Sequence, residues 1–137
     1  MHYVGIAADE TIRLKRARED GKCCPLGDWG IPEAECLQGC YDAGFDWGGM
    51  YEHLDRLSCM YCRNKNLKEL RNIRKHYPDV WDRLKEYQHR TNLPYKTNGT
   101  TVFDLEKRFE FEEERIAQGK SITSREFFSE LKGRCRQ

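Results

Sequence analysis

Four cysteines in two closely spaced pairs are the feature that most constrains how this chain can fold. They are Cys36 and Cys40, a Cys-x3-Cys pair, followed by Cys59 and Cys62, a Cys-x2-Cys pair. A two-residue spacer is the usual geometry of a metal knuckle, and residues four apart on a helix share one face. Four thiolates suit zinc or an iron–sulfur cluster and are too soft for calcium or magnesium. The spacing therefore predicts one zinc ion held by the four thiolates, with a 4Fe-4S cluster as the alternative.

Two other interpretations of these cysteines stay open. Cysteine packs as a small hydrophobic residue, so the four side chains could simply belong to a buried core. A redox Cys-x-x-Cys at a helix start also fits Cys59 and Cys62, although no thioredoxin-like pattern of strands and helices surrounds them. The tandem cysteines Cys23 and Cys24, which precede Pro25, are reserve metal ligands.

Length and composition indicate one domain without a membrane span. The chain has 137 residues, 34% of them charged, and a mean hydropathy of -0.91. No run of 18 apolar residues occurs, and the first ten residues lack the basic start and apolar block of a signal peptide. Seven cysteines in such a chain favour reduced thiols, so we expect a cytoplasmic protein.

The pattern of apolar and turn residues predicts a mainly helical fold with one or two short N-terminal strands. Within a single domain, 1–137, we expect a strand and charged turn at 1–24, a cysteine-containing helical core at 25–90 and a helical extension at 91–137. Helices are expected at 31–44 and 50–57, and then from Asn66, Pro78, Thr101 and Thr123 onward.

The apolar run at 2–7 predicts a strand that needs a partner. A single strand cannot satisfy its own backbone hydrogen bonds, and this sequence supplies no clear neighbour for it. We therefore expect these residues to pair with a partner protein or with a second copy of the chain in a homodimer.

Charge is distributed unevenly along the chain. Residues 63–90 carry nine basic against four acidic residues, whereas 1–62 carry six basic against eleven acidic residues. Such a block can attract nucleic-acid phosphates or an acidic partner, and the alternative is a solvated helix face paired with acidic neighbours. The predicted basic face consists of Arg63, Lys65, Lys68, Arg71, Arg74 and Lys75.

Three stretches of the sequence carry a family resemblance. They read Gly-Ile-Ala-Ala-Asp-Glu at 5–10, Trp-Gly-Ile at 29–31 after a Pro-Leu at 25–26, and Gly-Phe-Asp-Trp-Gly-Gly-Met-Tyr-Glu-His at 44–53, shortly before the Cys-x2-Cys pair. Together these stretches, which fall within residues 4–90, resemble the phosphoadenosine phosphosulfate (PAPS) reductase-like proteins that phages often encode. The resemblance implies a remnant of the α/β adenine-nucleotide α-hydrolase-like fold, corresponding to the C-terminal half of such a protein.

The resemblance also implies a ligand-binding edge, whereas two motifs of the family are missing from this sequence. Similar family residues lie at the C-terminal end of a strand, so Asp9, Glu10 and Arg13 become a candidate substrate or partner edge, with helix-start electrostatics as the alternative. No glycine-rich phosphate loop follows a strand here. The family's C-terminal Glu-Cys-Gly-x-His motif is absent as well, since Cys135 shares only its cysteine.

Two functional hypotheses follow from these observations. The first is a metal-stabilised module that binds a protein or a nucleic acid, is not catalytic alone, and, given the phage-type resemblance, modulates a host system in the host cytoplasm. The second is a subunit of a PAPS reductase-like or sulfur-transfer enzyme that needs a separate nucleotide-binding half, with Cys59 or Cys62 as the reactive thiol. His53 is a further candidate, either as a metal ligand or as a proton carrier.

Overall fold

The computed structural model describes residues 1–55, 57 and 59–135, with the backbone alone for Cys135, and it confirms a mainly helical fold. In the described residues seven α-helices follow one another: α1 Thr11–Glu19, α2 Pro25–Asp28, α3 Glu33–Asp42, α4 Leu67–His76, α5 Pro78–His89, α6 Val102–Ala117 and α7 Arg125–Cys135. A 3-10 helix, Trp47–Glu52, lies between α3 and α4. None of the helices in this part of the chain is long and apolar enough to cross a membrane.

The chain divides into two compact units. The N-terminal unit is Met1–Gly49 and the C-terminal unit is Met50–Gln137. The boundary falls inside the segment 25–90, which the sequence analysis treats as one helical core. The single domain with divisions after residues 24 and 90 therefore stays a prediction.

The N-terminal unit is built around a small core and one parallel bridge. Its buried core cluster consists of Ile6, Leu14, Ala17 and Cys24. In place of a predicted strand at 2–7, the described residues contain a single parallel bridge between Tyr3 and Cys23. Val4 N–H donates to the Cys23 carbonyl and Cys23 N–H donates to the His2 carbonyl, both at 2.8 Å. One side of residues 2–4 is thus paired inside the unit, and pairing of the other side with a partner stays a prediction.

Helices α1 and α2 approach each other closely at a glycine. The sequence predicts a loop at 25–30, and the structure instead forms the short helix α2 there, with Pro25 in its first turn. A Cβ atom added at Gly27 would overlap the buried side chain of Leu14. Glycine is therefore the residue that lets α2 pack against α1.

Helix α3 confirms the central part of the helix predicted at 31–44, and a left-handed bend follows it. Gly44, Trp47, Gly48 and Gly49 all have positive φ, and Trp47, at φ 51°, is the one non-glycine residue to do so in the described chain. The Asp46 carboxylate accepts the Gly48 N–H at 2.9 Å and fixes the bend. The helix predicted at 50–57 is wrong for the described residues, in which the 3-10 helix ends at Glu52 and a turn and a bend follow.

Side-chain caps begin the helices of the C-terminal unit. The helix starts expected at Asn66 and Thr101 are confirmed, and both are capping boxes: Asn66 and Glu69 exchange hydrogen bonds at the start of α4, and Thr101 and Asp104 do so at the start of α6. The sequence places the cap of α7 at residue 123. The structure uses Ser124 instead, whose Oγ accepts the Phe127 N–H at 3.1 Å.

The core of the C-terminal unit draws on four segments of the chain. Its buried cluster consists of Leu54, Leu70, Ile73, Trp81, Leu84, Val102, Leu105 and Phe109. A second cluster joins α6 to α7 through Phe111, Phe127 and Leu131. Helices α4, α5 and α6 thus share one core, which fixes the positions of their outward-facing charged residues.

Candidate functional site

The Cys-x2-Cys pair lies on a closed turn just before α4. Cys62 N–H donates to the Cys59 carbonyl at 3.0 Å, and Lys65 N–H donates to the Cys62 carbonyl at 3.1 Å. Both cysteines are free; Cys59 is exposed and Cys62 is half-buried. Two accessible thiols on one tight turn are the arrangement from which metal knuckles are built.

A distant loop holds this turn by its carbonyl groups. Tyr95 donates its hydroxyl to the Cys62 carbonyl at 2.8 Å. Lys96 donates from Nζ to the Arg63 carbonyl at 2.6 Å and also to the Lys65 carbonyl. Burial raises the pKa of the Tyr95 phenol well above its usual value, so the hydroxyl stays a donor across the neutral range. No sequence pattern relates Tyr95 to Cys62, which precedes it by 33 residues.

Under the turn lies a buried ion pair. Lys65 is 1% exposed and Glu69 is 2% exposed, and their Nζ and Oε1 atoms are 3.5 Å apart. Lys65 is predicted on the basic face; the structure corrects this, because its buried ammonium pairs with the Glu69 carboxylate inside the unit. Glu69 Oε2 accepts the Asn66 N–H, whereas Oε1 has no hydrogen-bond partner among the described residues.

The four predicted metal ligands are divided between the two units. Cys36 and Cys40 lie half-buried on α3 of the N-terminal unit, and Cys59 and Cys62 lie in the C-terminal unit. Among the described residues no group of three or more His, Cys, Asp or Glu side chains forms a metal-binding set. Zinc and the 4Fe-4S cluster therefore both stay predictions. Of the reserve ligands, Cys24 is fully buried and Cys23 is half-buried.

Arginines of the predicted basic face are paired with carboxylates of α6. Arg71 donates from Nε and Nη2 to Glu112 at 2.5 and 2.9 Å. Arg74 donates to Glu106 at 2.8 Å and to Glu113 at 2.6 Å. At these two arginines the contacts agree with the alternative interpretation, a helix face whose positive charge is paired with acidic neighbours. The hydrogen bond with Glu112 raises the pKa of Arg71 above its usual value.

The other members of the face differ in their surroundings. Lys68 pairs with Asp55 at 2.7 Å in an exposed salt bridge, which contributes little to stability. Arg63 and Lys75 are exposed. In the described part of the chain, no carboxylate oxygen lies within 4.0 Å of the Lys75 ammonium. Lys75 is therefore the least compensated cation at the end of α4.

A cleft of about 340 Å³ opens beside this face in the C-terminal unit. Its lining residues come from α4, α6 and the segment before α7: Arg71, Asn72, Arg74, Lys75, Phe109, Glu112, Glu113, Ile116 and Ile122. Three of the lining residues are apolar, Phe109, Ile116 and Ile122, and Ile116 is 59% exposed. The cleft thus combines three cations of the predicted basic face, two carboxylates of α6 and apolar side chains that sequence reasoning does not identify. The signal for those apolar side chains is weak, because Ile116 and Ile122 lie on either side of a helix end.

Asp9, Glu10 and Arg13 have local structural contacts. Asp9 Oδ1 accepts the N–H of Glu33, the first residue of α3, at 3.1 Å. Glu10 accepts the Ala7 N–H at 3.4 Å and forms an ion pair with Arg13. Asp9 therefore satisfies the first N–H of α3, whereas Glu10 and Arg13 pair beside the start of α1. The role of the three residues as a substrate or partner edge stays a prediction.

His53 stacks on a second histidine that sequence reasoning misses. The ring centroids of His53 and His76 are 3.7 Å apart and the planes differ by 11°. Tyr77 packs edge-on against His53, and the His53 carbonyl accepts the Asn72 side-chain amide at 2.6 Å. Desolvation and the neighbouring positive groups His53 and Lys75 lower the pKa of His76. A stack 23 residues apart in sequence leaves no periodic signal.

Comparison with known proteins assigns no family. No protein-family model, no curated protein and no solved structure matches the chain. The resemblance to PAPS reductase-like proteins therefore rests on its sequence motifs alone. What the chain does is best inferred from the geometry of the cleft and of the Cys59–Cys62 turn.

Proposed function

We propose that this chain is a metal-stabilised module that binds an acidic segment of a partner protein in the cleft beside α4 and α6. The observation that carries the proposal is the cleft itself. It brings together three cations, Arg71, Arg74 and Lys75, which we call the rim, and three apolar side chains, Phe109, Ile116 and Ile122, which we call the floor. Glu112 and Glu113 line the same concave surface. Concave apolar sites with a few convergent polar groups are the usual form of a binding site.

The rim and the floor favour a ligand that carries both acidic and apolar groups. Lys75 offers an ammonium that no carboxylate neutralises among the described residues. Arg74 uses Nε and Nη1 toward Glu106 and Glu113, and a guanidinium has five N–H donors, so further donors remain for a ligand carboxylate. An apolar side chain of the ligand would cover Ile116. An acidic peptide with interspersed apolar residues meets both requirements.

The compensated arginines favour a protein over a nucleic acid. Nucleic-acid affinity depends on uncompensated cations that neutralise phosphates. Here Glu112 and Glu106 already neutralise much of the charge of Arg71 and Arg74. Glu113, which is 65% exposed, repels anionic groups at the rim; a nucleic acid presents a phosphate at every nucleotide, whereas a peptide of mixed sequence can place an apolar side chain there. A nucleic acid is therefore the disfavoured ligand and serves as an arm of the test.

The metal part of the proposal concerns the helix that forms the cleft wall. The Cys59–Cys62 turn directly precedes α4, so zinc held there would anchor the start of that helix. We assign the other two thiolates to Cys36 and Cys40 on the strength of their spacing alone. A 4Fe-4S cluster is the alternative for the same thiolates.

Peptide binding tests the cleft. A fluorescent 12-residue peptide of alternating Glu and Leu is the probe, a Gln/Leu peptide is its neutral control, and anisotropy is the readout. Ile116→Glu should weaken binding by about tenfold or more, because it removes roughly 1.5–3 kcal/mol of apolar burial and adds a negative charge that repels the acidic peptide. Leu93→Glu, at a residue that is 73% exposed and lies outside the cleft lining, is the matched control and should bind as the wild type does.

The remaining outcomes decide against the cleft proposal. Equal binding of the neutral and acidic peptides contradicts the role of the cationic rim. Binding of a single-stranded or duplex oligonucleotide that falls steeply with salt, with no peptide binding, assigns the surface to nucleic acid instead.

Metal content tests the second part directly. Elemental analysis and an absorption spectrum of anaerobically purified protein should give one zinc per chain and no visible colour. A brown protein with iron and sulfide supports the cluster. Protein without either metal contradicts the metal site.

A second candidate function is favoured by the parallel bridge between Tyr3 and Cys23. Helix α1 connects the two bridged segments, and parallel segments joined by a helix are the building unit of α/β sheets. This arrangement supports a subunit of a PAPS reductase-like or sulfur-transfer enzyme that works with a separate nucleotide-binding half. Calorimetry with PAPS and with ATP tests it, and micromolar binding by the chain would replace the first proposal.

A further inference from the structure

We propose that Tyr95 and Lys96 are positioning residues that hold the Cys59–Cys62 turn in its metal-binding shape. The inference rests on the proposed metal site and adds to it two residues far away in sequence. Neither side chain would touch the ion. Each acts through the backbone on which the thiols are carried.

The contacts converge on one short stretch of backbone. The carbonyls of Cys62, Arg63 and Lys65 all accept hydrogen bonds from these two neighbouring side chains. Three acceptors within four residues fix the direction of the chain as it leaves the turn. The hydrogen bond directly after the turn, from Lys65 N–H to the Cys62 carbonyl, joins two of these residues.

The donors are themselves held in place. Lys96 N–H donates to the Thr100 carbonyl at 2.9 Å, and Gly99 N–H donates to the Lys96 carbonyl at 3.2 Å. Gly99 adopts φ +89°, a conformation that L side chains rarely adopt, so this loop closes tightly. Tyr95 also packs against the main core of the unit. The clamp therefore connects the turn to the rigid part of the C-terminal unit.

A fixed backbone matters because metal affinity depends on how much order the ligands must gain. A free Cys-x-x-Cys segment loses conformational entropy when both sulfurs converge on one ion. A turn that is already held loses less, and supported metal ligands typically bind their ion 10–100-fold more tightly than unsupported ones. Tyr95 and Lys96 supply that support without occupying a coordination position.

Two substitutions separate positioning from general stability. Tyr95→Phe removes one hydroxyl and keeps the ring in the core, whereas Lys96→Met keeps the aliphatic stem and removes the donor. Tyr3→Phe, at an exposed position of the N-terminal unit, and Lys107→Met, at an exposed position of α6, are the matched controls. Zinc affinity is measured by competition with a chromogenic chelator, and the thiolate–Co²⁺ absorption band reports the geometry of the bound ion. Amide hydrogen exchange of the metal-free protein reports the turn itself.

We expect each clamp variant to bind zinc about five- to tenfold more weakly than the wild type, since each loses one or two hydrogen bonds. The amides of Cys62 and Lys65 should exchange faster in the metal-free variants, while the amides of α5 and α6 keep their protection. Both controls should match the wild type. If Lys96→Met fails to fold, Tyr95→Phe decides the question by the same measurements.

The opposite results are distinguishable from one another. Wild-type protein that binds zinc, with clamp variants within twofold of it, overturns the positioning role and leaves the metal site standing. Wild-type protein that binds neither zinc nor Co²⁺ overturns the metal site and the positioning role together.

Discussion

Replacing Glu112 by glutamine should destabilise the C-terminal unit by about 2–3 kcal/mol at neutral pH. The Glu112 side chain is 3% exposed and accepts hydrogen bonds from Arg71 and Arg108. Hydrogen bonds with charged groups contribute about 1.5–3 kcal/mol each, and removing one partner of a buried ion pair costs about 3–5 kcal/mol. Arg71 and Arg108 are 36% and 23% exposed, so water can take over part of their solvation, and the lower end of these ranges applies.

The loss should depend on pH with a defined sign. Burial opposes ionisation of Glu112, but hydrogen bonds from Arg71 and Arg108 outweigh it and hold the pKa of the carboxyl below its ordinary value. A carboxyl with a depressed pKa in the folded state stabilises the protein above the unfolded-state value of about 4.3, and this contribution is lost as pH falls through the folded-state pKa. The difference between Glu112→Gln and wild type should therefore shrink in acid.

Urea denaturation followed by circular dichroism, at pH 7 and at several values below about 4.5, measures this difference. Glu110→Gln, on the exposed side of α6, is the matched control and should change stability by less than about 0.5 kcal/mol. An effect of Glu112→Gln no larger than that of the control, or one of constant size across the pH range, refutes the reasoning.

Three further predictions concern other parts of the chain. Asn66→Ala removes one half of the capping box of α4 and should cost about 1 kcal/mol in denaturant unfolding. Gly27→Ala should destabilise the N-terminal unit by about 1–3 kcal/mol, because the added methyl group overlaps α1. Gly39→Ala, on α3 with open space around it, should stabilise the unit by about 0.5–1 kcal/mol. Amide hydrogen exchange in this unit should be faster in the first variant and slower in the second. In an NMR titration the His76 imidazole should show a pKa below its ordinary value, and stability should decrease as pH falls through the range in which His76 titrates. His53→Ala should raise the pKa of His76, and an unchanged titration curve contradicts the stacked pair.

Local patterns predict local structure in this chain. The capping box that begins at Asn66 and the helix that begins at Pro78 are determined by residues within one turn, and both are present. The helix predicted at 50–57 fails because apolar spacing does not determine whether the backbone is helical, and the described residues there leave the helical conformation after Glu52. Spacing identifies which residues share a face only if the backbone is helical in the first place.

Long-range contacts account for what the sequence leaves out of the candidate site. The turn at Cys59 and Cys62 is visible as a motif, but its clamp from Tyr95 is not, because 33 residues separate the hydroxyl from the carbonyl that it binds. The basic segment is visible as a charge block, yet its compensation by Glu112 depends on how α4 and α6 meet across 41 residues. Neither pairing follows from composition or periodicity.

Helix α3 has no fully buried residue. Segments with few buried contacts open at low free-energy cost while the rest of a protein stays folded. Proteases and oxidants attack the locally opened form, so the thiols of Cys36 and Cys40 should react with a mild alkylating agent well before the rest of the protein unfolds. The first chemical damage that this chain accumulates on storage in air should therefore map to the exposed Cys59 and to this surface helix, and the buried Cys24 should be spared.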